Sequence, residues 1–332
     1  MNSYERLMNR LAGKPVDRLP NLCLVMQFAA HQLNIPYGKF VTDYRLLADG
    51  MWHIYETYGV DALCVISDPM REASAFGTAV LIPEDNVPYQ KEHLLKTVAD
   101  FAKIKVSDPS ANPRMLDRLE AVRLLHEKAL GEVAVIGWVE GAFAESCDLM
   151  DMSQLMMTVY DYPAEVHQLL DVCTSQAEKF ALAQIAAGAE IIGIGDAAAS
   201  LIGPKLFKKF ALPYQQRLIS TIHQAGAMAK LHICGNINPI MSLIAETGAD
   251  IVDCDHMVDM ENALQILPTT TCIGGNFDPV NVLLNGTIED IQKAVHQTIQ
   301  LPSKTTMVAS GCEVPKFTPK ENLLAVSNAL LG

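Results

Sequence analysis

Three side chains stand out for the chemistry they could do together: His232, Cys234 and Cys312. His232 and Cys234 are two apart in the apolar run MAKLHIC (228–234), and residues at i and i+2 of a strand project from one face. Cys312 follows a second run, TTMVAS (305–310). If both runs open into one mouth, two thiolates and an imidazole converge on a single ion. Soft sulfur with imidazole selects Zn2+, and three protein ligands leave a fourth position for substrate. The spacing alone also fits a plainer reading, in which each Cys is a small buried hydrophobe. Cys23, Cys64 and Cys272 fall inside apolar runs and Cys173 inside a helical pattern; these and Cys147 read as packing residues.

The elements that must position those ligands come from an alternation of short apolar runs with longer helical patterns. The runs are 19–26, 60–67, 132–139, 189–195, 228–234, 249–254, 270–275 and 305–310. Most are apolar on consecutive positions and rich in Val and Ile, as suits strands of a parallel sheet buried on both faces. Helical patterns occupy 39–58, 161–187, 205–226, 238–247, 287–299 and 319–330, with Asp161 as N-cap and Pro163 in the first turn of the second. Pro83, Pro88, Pro109 and Pro113 break up 78–131, which reads as a long excursion after the second strand with one good helix near 114–129. This arrangement predicts a single-domain (β/α)8 TIM barrel over residues 1–332. A doubly wound sheet would carry a glycine-rich phosphate turn after its first strand, and CLVMQFAAHQ has no glycine.

Chemistry in a barrel gathers where strands end, and here those ends are polar while the run interiors are hydrocarbon. Asp196, after the fourth run, is the leading additional candidate for hydrogen bonding to substrate, with a helix N-cap as its alternative role. Glu140 and Asp68 rank below it.

Composition narrows the classes of partner. The chain has 332 residues, 50% of them apolar, and a formal net charge of -13. An acidic surface repels phosphate backbones and anionic lipid, so nucleic acid and membrane surfaces are poor partners. The first twenty residues lack the apolar core of a signal peptide, and Glu190 and Asp196 interrupt the longest apolar stretch. Eight cysteines are too few for a disulfide scaffold. These features predict a reducing, cytoplasmic setting.

Four segments together resemble the uroporphyrinogen decarboxylase superfamily: LHICGNINPIM, GADIVDCDHMVDM, IGGNFDP and ASGCEVP. Within it they are similar to the methylcobalamin:thiol methyltransferases, including those acting on coenzyme M. GKPVDRLP, GIGDAAASLIGPKLFKKFALPY and TPKENLLA extend the likeness over nearly the whole chain. The resemblance implies zinc on His232, Cys234 and Cys312, a methylcorrinoid as methyl donor, a corrinoid protein as partner and a small thiol as acceptor. A more distant likeness, to cobalamin-independent methionine synthase, implies a fourth ligand at Asp255. Asp is one methylene shorter than the Glu found there, so Asp255 could instead orient His232 or be a solvated loop carboxylate; Cys254 and His256 are adjacent alternates. Glu313 stands where relatives commonly carry Gly.

The implied reaction follows from thiol acidity. A free thiol of pKa near 8.5 is only about 3% ionised at pH 7. Activation as a zinc thiolate raises the reactive fraction by up to ~30-fold and leaves sulfur nucleophilic toward a methyl group on cobalt. Demethylation of a methylated donor is the reverse possibility, less suited to an ion already carrying two thiolates. Uroporphyrinogen decarboxylation is a weaker alternative: its paired arginines after the first strand are missing, since no Arg lies between Arg18 and Arg45. A non-catalytic zinc scaffold is disfavoured because structural sites are closed and clustered, whereas these ligands are dispersed.

Overall fold

In the computed structural model, which describes residues 1–332, seven parallel strands follow one another around a sheet in chain order. They are β1 (Ala62–Cys64), β2 (Ala134–Glu140), β3 (Ile191–Gly195), β4 (Met228–Ile233), β5 (Ile251–Cys254), β6 (Cys272–Phe277) and β7 (Thr306–Ser310). Helices connect them, so the architecture is the (β/α)8 type expected, with seven of the eight predicted runs forming full strands.

The exception is the first run. Asn21 makes a single bridge to Val308, and the segment still joins both edges: the Leu22 amide donates to Val308 O (2.8 Å) and the Asp61 amide to Asn21 O (2.8 Å). Residues 20–22 therefore close the gap between β7 and β1. Pro20 has no amide to donate, and the Asn21 side chain accepts from the Cys23 amide, so the backbone is diverted from a longer ladder.

The excursion after β1 contains the expected helix, Pro113–Ala129, started by Asn112, whose side chain accepts from the amides of Arg114 and Met115. It also holds a helix at Met70–Phe76 and a short antiparallel ribbon, Val80–Leu81 with Tyr89–Gln90, which the sequence pattern did not indicate. The predicted N-cap at Asp161 is corrected. Asp161 ends a separate helix, Met152–Asp161, and the next runs Pro163–Ala187 with Tyr162 between them. Pro163 disfavours helical backbone at the residue before it, and Tyr162 sits at φ -134° and ψ 55°, so one helix stops there and another begins.

The barrel is sealed at one end and open at the other. A small apolar cluster at the strand starts, including Ala134, Ile191, Ile251 and Cys272, packs with Leu7 of the helix Ser3–Leu11. Arg6 anchors that helix by pairing with buried Asp61 at 2.7 Å. The main core of 91 buried residues lies between the strands and the surrounding helices. With the strand starts plugged, the strand ends are left to form the site.

Candidate metal centre

One layer across the sheet organises the open end. Glu140 pairs in register with Gly195, Gly195 with His232, His232 with Asp253, and Asp253 with Gly274. Two of these positions are glycine because neighbouring side chains occupy the space. A Cβ at Gly274 would lie 2.9 Å from Asp253 Oδ1, and one at Gly195 would lie 3.0 Å from Trp138 Nε1.

Asp253, 2% exposed, sits between two cations-to-be. Its Oδ2 is 3.0 Å from Lys230 Nζ and 3.2 Å from His232 Nδ1. Burial works against ionising Asp253, but Lys230 and then His232 hold its carboxyl down to about 2. An anion beside Nδ1 fixes the imidazole so that Nε2 faces away from Asp253. On that side Cys234 Sγ is 3.1 Å from Nε2, Cys312 Sγ is 3.9 Å from it, and the two sulfurs are 3.8 Å apart. All three ligand atoms lie within 4.8 Å of one another.

Those separations suit one tetrahedral ion. Zn–S bonds near 2.3 Å and Zn–N bonds near 2.0 Å place two sulfurs about 3.8 Å apart and sulfur about 3.6 Å from nitrogen. The sulfur pair matches, and the two nitrogen–sulfur distances bracket the second figure. A disulfide would need about 2.05 Å; both cysteines are free thiols. The protonation pattern points the same way. Hydrogen bonding from Cys234, against burial, and then His232 bring Cys312 down to about 4, while Cys234 is pushed up beside it. Burial opposes charge on His232, yet Asp253 and Cys312 raise it to about 10. Negative charge on the Cys312 sulfur and positive charge on the His232 imidazole thus favour each other, while Cys234 keeps its proton.

Two local devices hold the cysteines. Gly235, at φ +86°, turns the chain immediately after Cys234 in the left-handed region. Its amide donates to Asp255 Oδ2 at 2.8 Å, and Asp255 Oδ1 is 2.7 Å from His256 Nδ1. Asp255 therefore stands outside the three-ligand group and steadies the turn that carries one ligand. The carboxylate against His232 is Asp253, which the sequence reading did not single out. On the other side, a Cβ at Gly311 would lie 2.2 Å from the His256 amide nitrogen, so glycine lets the Cys312 loop close over that turn. The Ser310 hydroxyl donates to Cys312 O at 2.6 Å. Cys254 is fully buried in the apolar core, where burial raises its thiol, and His256 faces Asp255 and Asp278.

Asp196 has both carboxylate oxygens engaged within the protein. Oδ1 accepts from the Ala144 amide (2.8 Å) and Oδ2 from Gln215 Nε2 (2.7 Å), while its own amide donates to His232 O (3.0 Å). It joins the first turn of the helix Ala142–Leu149 to the helix Leu212–Gln224 beneath His232. Burial raises its carboxyl to about 6.

A cavity of about 220 Å³ adjoins the three ligands, with Met26, Trp138, Glu140, Gly195 and Glu313 among its walls. Asp68 also reaches it, and behind Asp68 and Glu140 lie arginines that no spacing in the sequence suggested. Arg114 grips Asp68 through both terminal nitrogens (2.9 and 2.6 Å), and Arg71, fully buried, pairs with Glu140 at 2.8 Å. Glu313 Oε1 accepts from the Gln27 amide at 2.8 Å.

With the geometry in view, comparison with known proteins decides the family. The uroporphyrinogen decarboxylase (URO-D) family model matches residues 2–330. The chain is a member of that family. Among curated relatives of this URO-D protein, the methylcobamide:CoM methyltransferase MtbA of Methanosarcina mazei is 30% identical, covering 96% of this chain and 94% of its own. MtbA of Methanosarcina acetivorans is 29% identical over the same shares. A uroporphyrinogen decarboxylase from Trichlorobacter lovleyi is 23% identical over 96% of this chain and 95% of its own. A solved methyltransferase from Methanosarcina mazei superposes with a TM-score of 0.91 at 24% identity, covering 99% of this chain and 98% of the other, which fixes the fold. No helix of this URO-D member is long and apolar enough to cross a membrane.

Proposed function

We propose that this protein is a zinc-dependent methyltransferase that moves a methyl group from a methylated corrinoid to a small thiol. The observation that carries the reading is the meeting of His232 Nε2, Cys234 Sγ and Cys312 Sγ within 4.8 Å beside a cavity at the open end of the barrel. The likeness to relatives named methylcobamide:CoM methyltransferases supports it. Zinc, when bound, supplies a soft positive charge that lowers the acceptor thiol's pKa and so makes sulfur nucleophilic at neutral pH.

The chain's own residues do the rest. Asp253 holds the imidazole so that it offers Nε2, and Lys230 keeps Asp253 ionised. Asp255 positions Cys234 through the Gly235 amide, leaving the fourth position for the acceptor. Asp196 is a positioning residue, acting on His232 through the strand backbone. The acceptor sulfur attacks the methyl carbon, the cobalt–carbon bond breaks, and its electron pair remains on cobalt, which passes from Co(III) to Co(I); the thiol proton goes to solvent. This step needs no general base. A polycarboxylate such as uroporphyrinogen would face Asp68, Glu140 and Glu313 across a wall without Lys or Arg, which argues against decarboxylation. We place the protein in the cytoplasm with a corrinoid protein as partner; its eight cysteines, all free, suit a reducing compartment.

The deciding experiment mixes the purified, zinc-loaded chain with methylcobalamin and a panel of thiols. Formation of Co(I) and the methylated thiol is expected. Turnover of uroporphyrinogen, with none of the thiols methylated, would overturn the reading.

A further inference from the structure

The cavity beside the ligands has a chemical polarity of its own. Three carboxylates reach its wall, from Asp68, Glu140 and Glu313, and no Lys or Arg side chain does. Asp68 is fully occupied by Arg114, Ser67 and the Met70 amide. Glu140 spends Oε1 on Arg71, and Glu313 spends Oε1 on the Gln27 amide, leaving each with an oxygen that has no protein partner.

A second observation places a ligand group between them. Trp138 is 2% exposed, yet its Nε1 has no hydrogen-bond partner, and an unmade indole hydrogen bond in the interior costs free energy. Trp138 and Glu140 border the cavity together at Gly195: a Cβ there would meet Trp138 Nε1 at 3.0 Å and Glu140 Oε2 at 3.2 Å. Gly195 is in register with His232, so this part of the wall adjoins the ligands. This stretch of wall offers one donor and one acceptor to the head of a short thiol standing in the cavity. At about 220 Å³ the cavity is smaller than the ~300 Å³ at which drug-sized pockets begin, which suits an acceptor of a few heavy atoms.

We propose that the acceptor is a small thiol whose head group donates hydrogen bonds, a hydroxyl or an ammonium, and that Trp138, Glu140 and Glu313 select it against an anionic head such as a sulfonate. An anion there would find no Lys or Arg on the wall to pair with it and would lie beside the Asp68 carboxylate, which Arg114 keeps ionised, whereas O–H or N–H groups satisfy the unpaired oxygens of Glu140 and Glu313. A hydroxyl also accepts from Trp138 Nε1. This inference rests on the thiol-methylating reading of the site.

The test uses three thiols of equal reach with the zinc-loaded chain and methylcobalamin: 2-mercaptoethanol, 2-aminoethanethiol and 2-mercaptoethanesulfonate. The first two should exceed the sulfonate in kcat/KM by about tenfold or more. Glu313→Gln should shrink that ratio several-fold, and Glu140→Gln, which frees the Arg71 charge toward the cavity, should shrink it further. As a readout without turnover, the corresponding methyl thioethers should bind in the same order by titration calorimetry with no corrinoid present. A wild-type preference for the sulfonate, or a ratio unmoved by both substitutions, overturns the head-group assignment and leaves methyl transfer standing. Absence of transfer to all three thiols overturns the methyltransferase reading, and the assignment falls with it.

Discussion

Two sides of the barrel mouth solve the problem of buried polarity differently. On the β4–β5–β7 side, three soft donors crowd one point, and a single Asp–Lys pair orients them. On the β1–β2 side, hard charges accumulate: Asp68, Glu72, Glu140, Glu145 and Asp148 press against Arg71 and its neighbours, nearly all of them buried. Their compensation is incomplete, since Glu145 has no hydrogen-bond partner for either carboxylate oxygen. The first side is incomplete in a way one ion completes; the second consists of charges that keep one another tolerable. A ligand cluster and a charge cluster can therefore share a cavity and still fail by different routes.

The largest effect that would break this contrast comes from the ligands. Cys234→Ala and Cys312→Ala should each lose about one equivalent of zinc by elemental analysis and lower methyl transfer by more than about a hundredfold, while the fold persists. Zinc retained in both variants would remove the distinction between the two sides. Arg71→Met should do the reverse. It leaves Glu72 and Glu140 buried without their cation, at a cost of about 3–5 kcal/mol in urea unfolding, with zinc still bound by the folded fraction.

Smaller effects sharpen the comparison. Asp253→Asn removes the anion beside His232 Nδ1 and should weaken zinc affinity by about 10–100-fold in a chelator competition. Asp255→Ala acts only through the Gly235 turn and should cost less, about tenfold. A pH slope tests the charge cluster without touching the ligands. Burial, then Glu72 and Asp68, hold the Asp148 carboxyl up at about 8, well above an unfolded carboxylate near 3.9. Between those values the unfolded chain has released a proton that the folded chain keeps, so the metal-free protein should lose stability as pH rises from about 4 to 8. Asp148→Asn should flatten that slope in denaturation series across the range. An unchanged slope would mean that Asp148 carries no such penalty.

What could be read in advance divides along the same line. His232, Cys234 and Cys312 were legible because Cys and His at strand ends carry few meanings, and alternation along a strand already aims two of them together. The seven full strands announced themselves as short, mostly apolar runs. The first run did not form a full strand, because Pro20 and Asn21 act on the backbone in ways an apolar tally ignores. Asp255 drew attention over Asp253 through the likeness to methionine synthase, but register decides which carboxylate meets His232. Arg71 gave no signal because its helix gave none, and Arg114 because a charged residue in a helix pattern reads as surface. Gly195 and Gly274 lie inside apolar runs without comment from the pattern and are the vacancies that admit Trp138 and Asp253.

The seal at the bottom of the barrel has a consequence for biosynthesis. Arg10, in the helix that plugs the strand starts, donates through Nε to Thr306 O at 2.8 Å. The stopper thus emerges from the ribosome ahead of every strand and waits for the last of them, the strand that leads into Cys312. Until then the nascent polypeptide has two of its three donors, no closed ring and a long exposed seam of unpaired sheet. The meeting of His232, Cys234 and Cys312 is therefore a late event in the synthesis of this chain, and cellular assistance would be needed most during the interval before residue 312 appears.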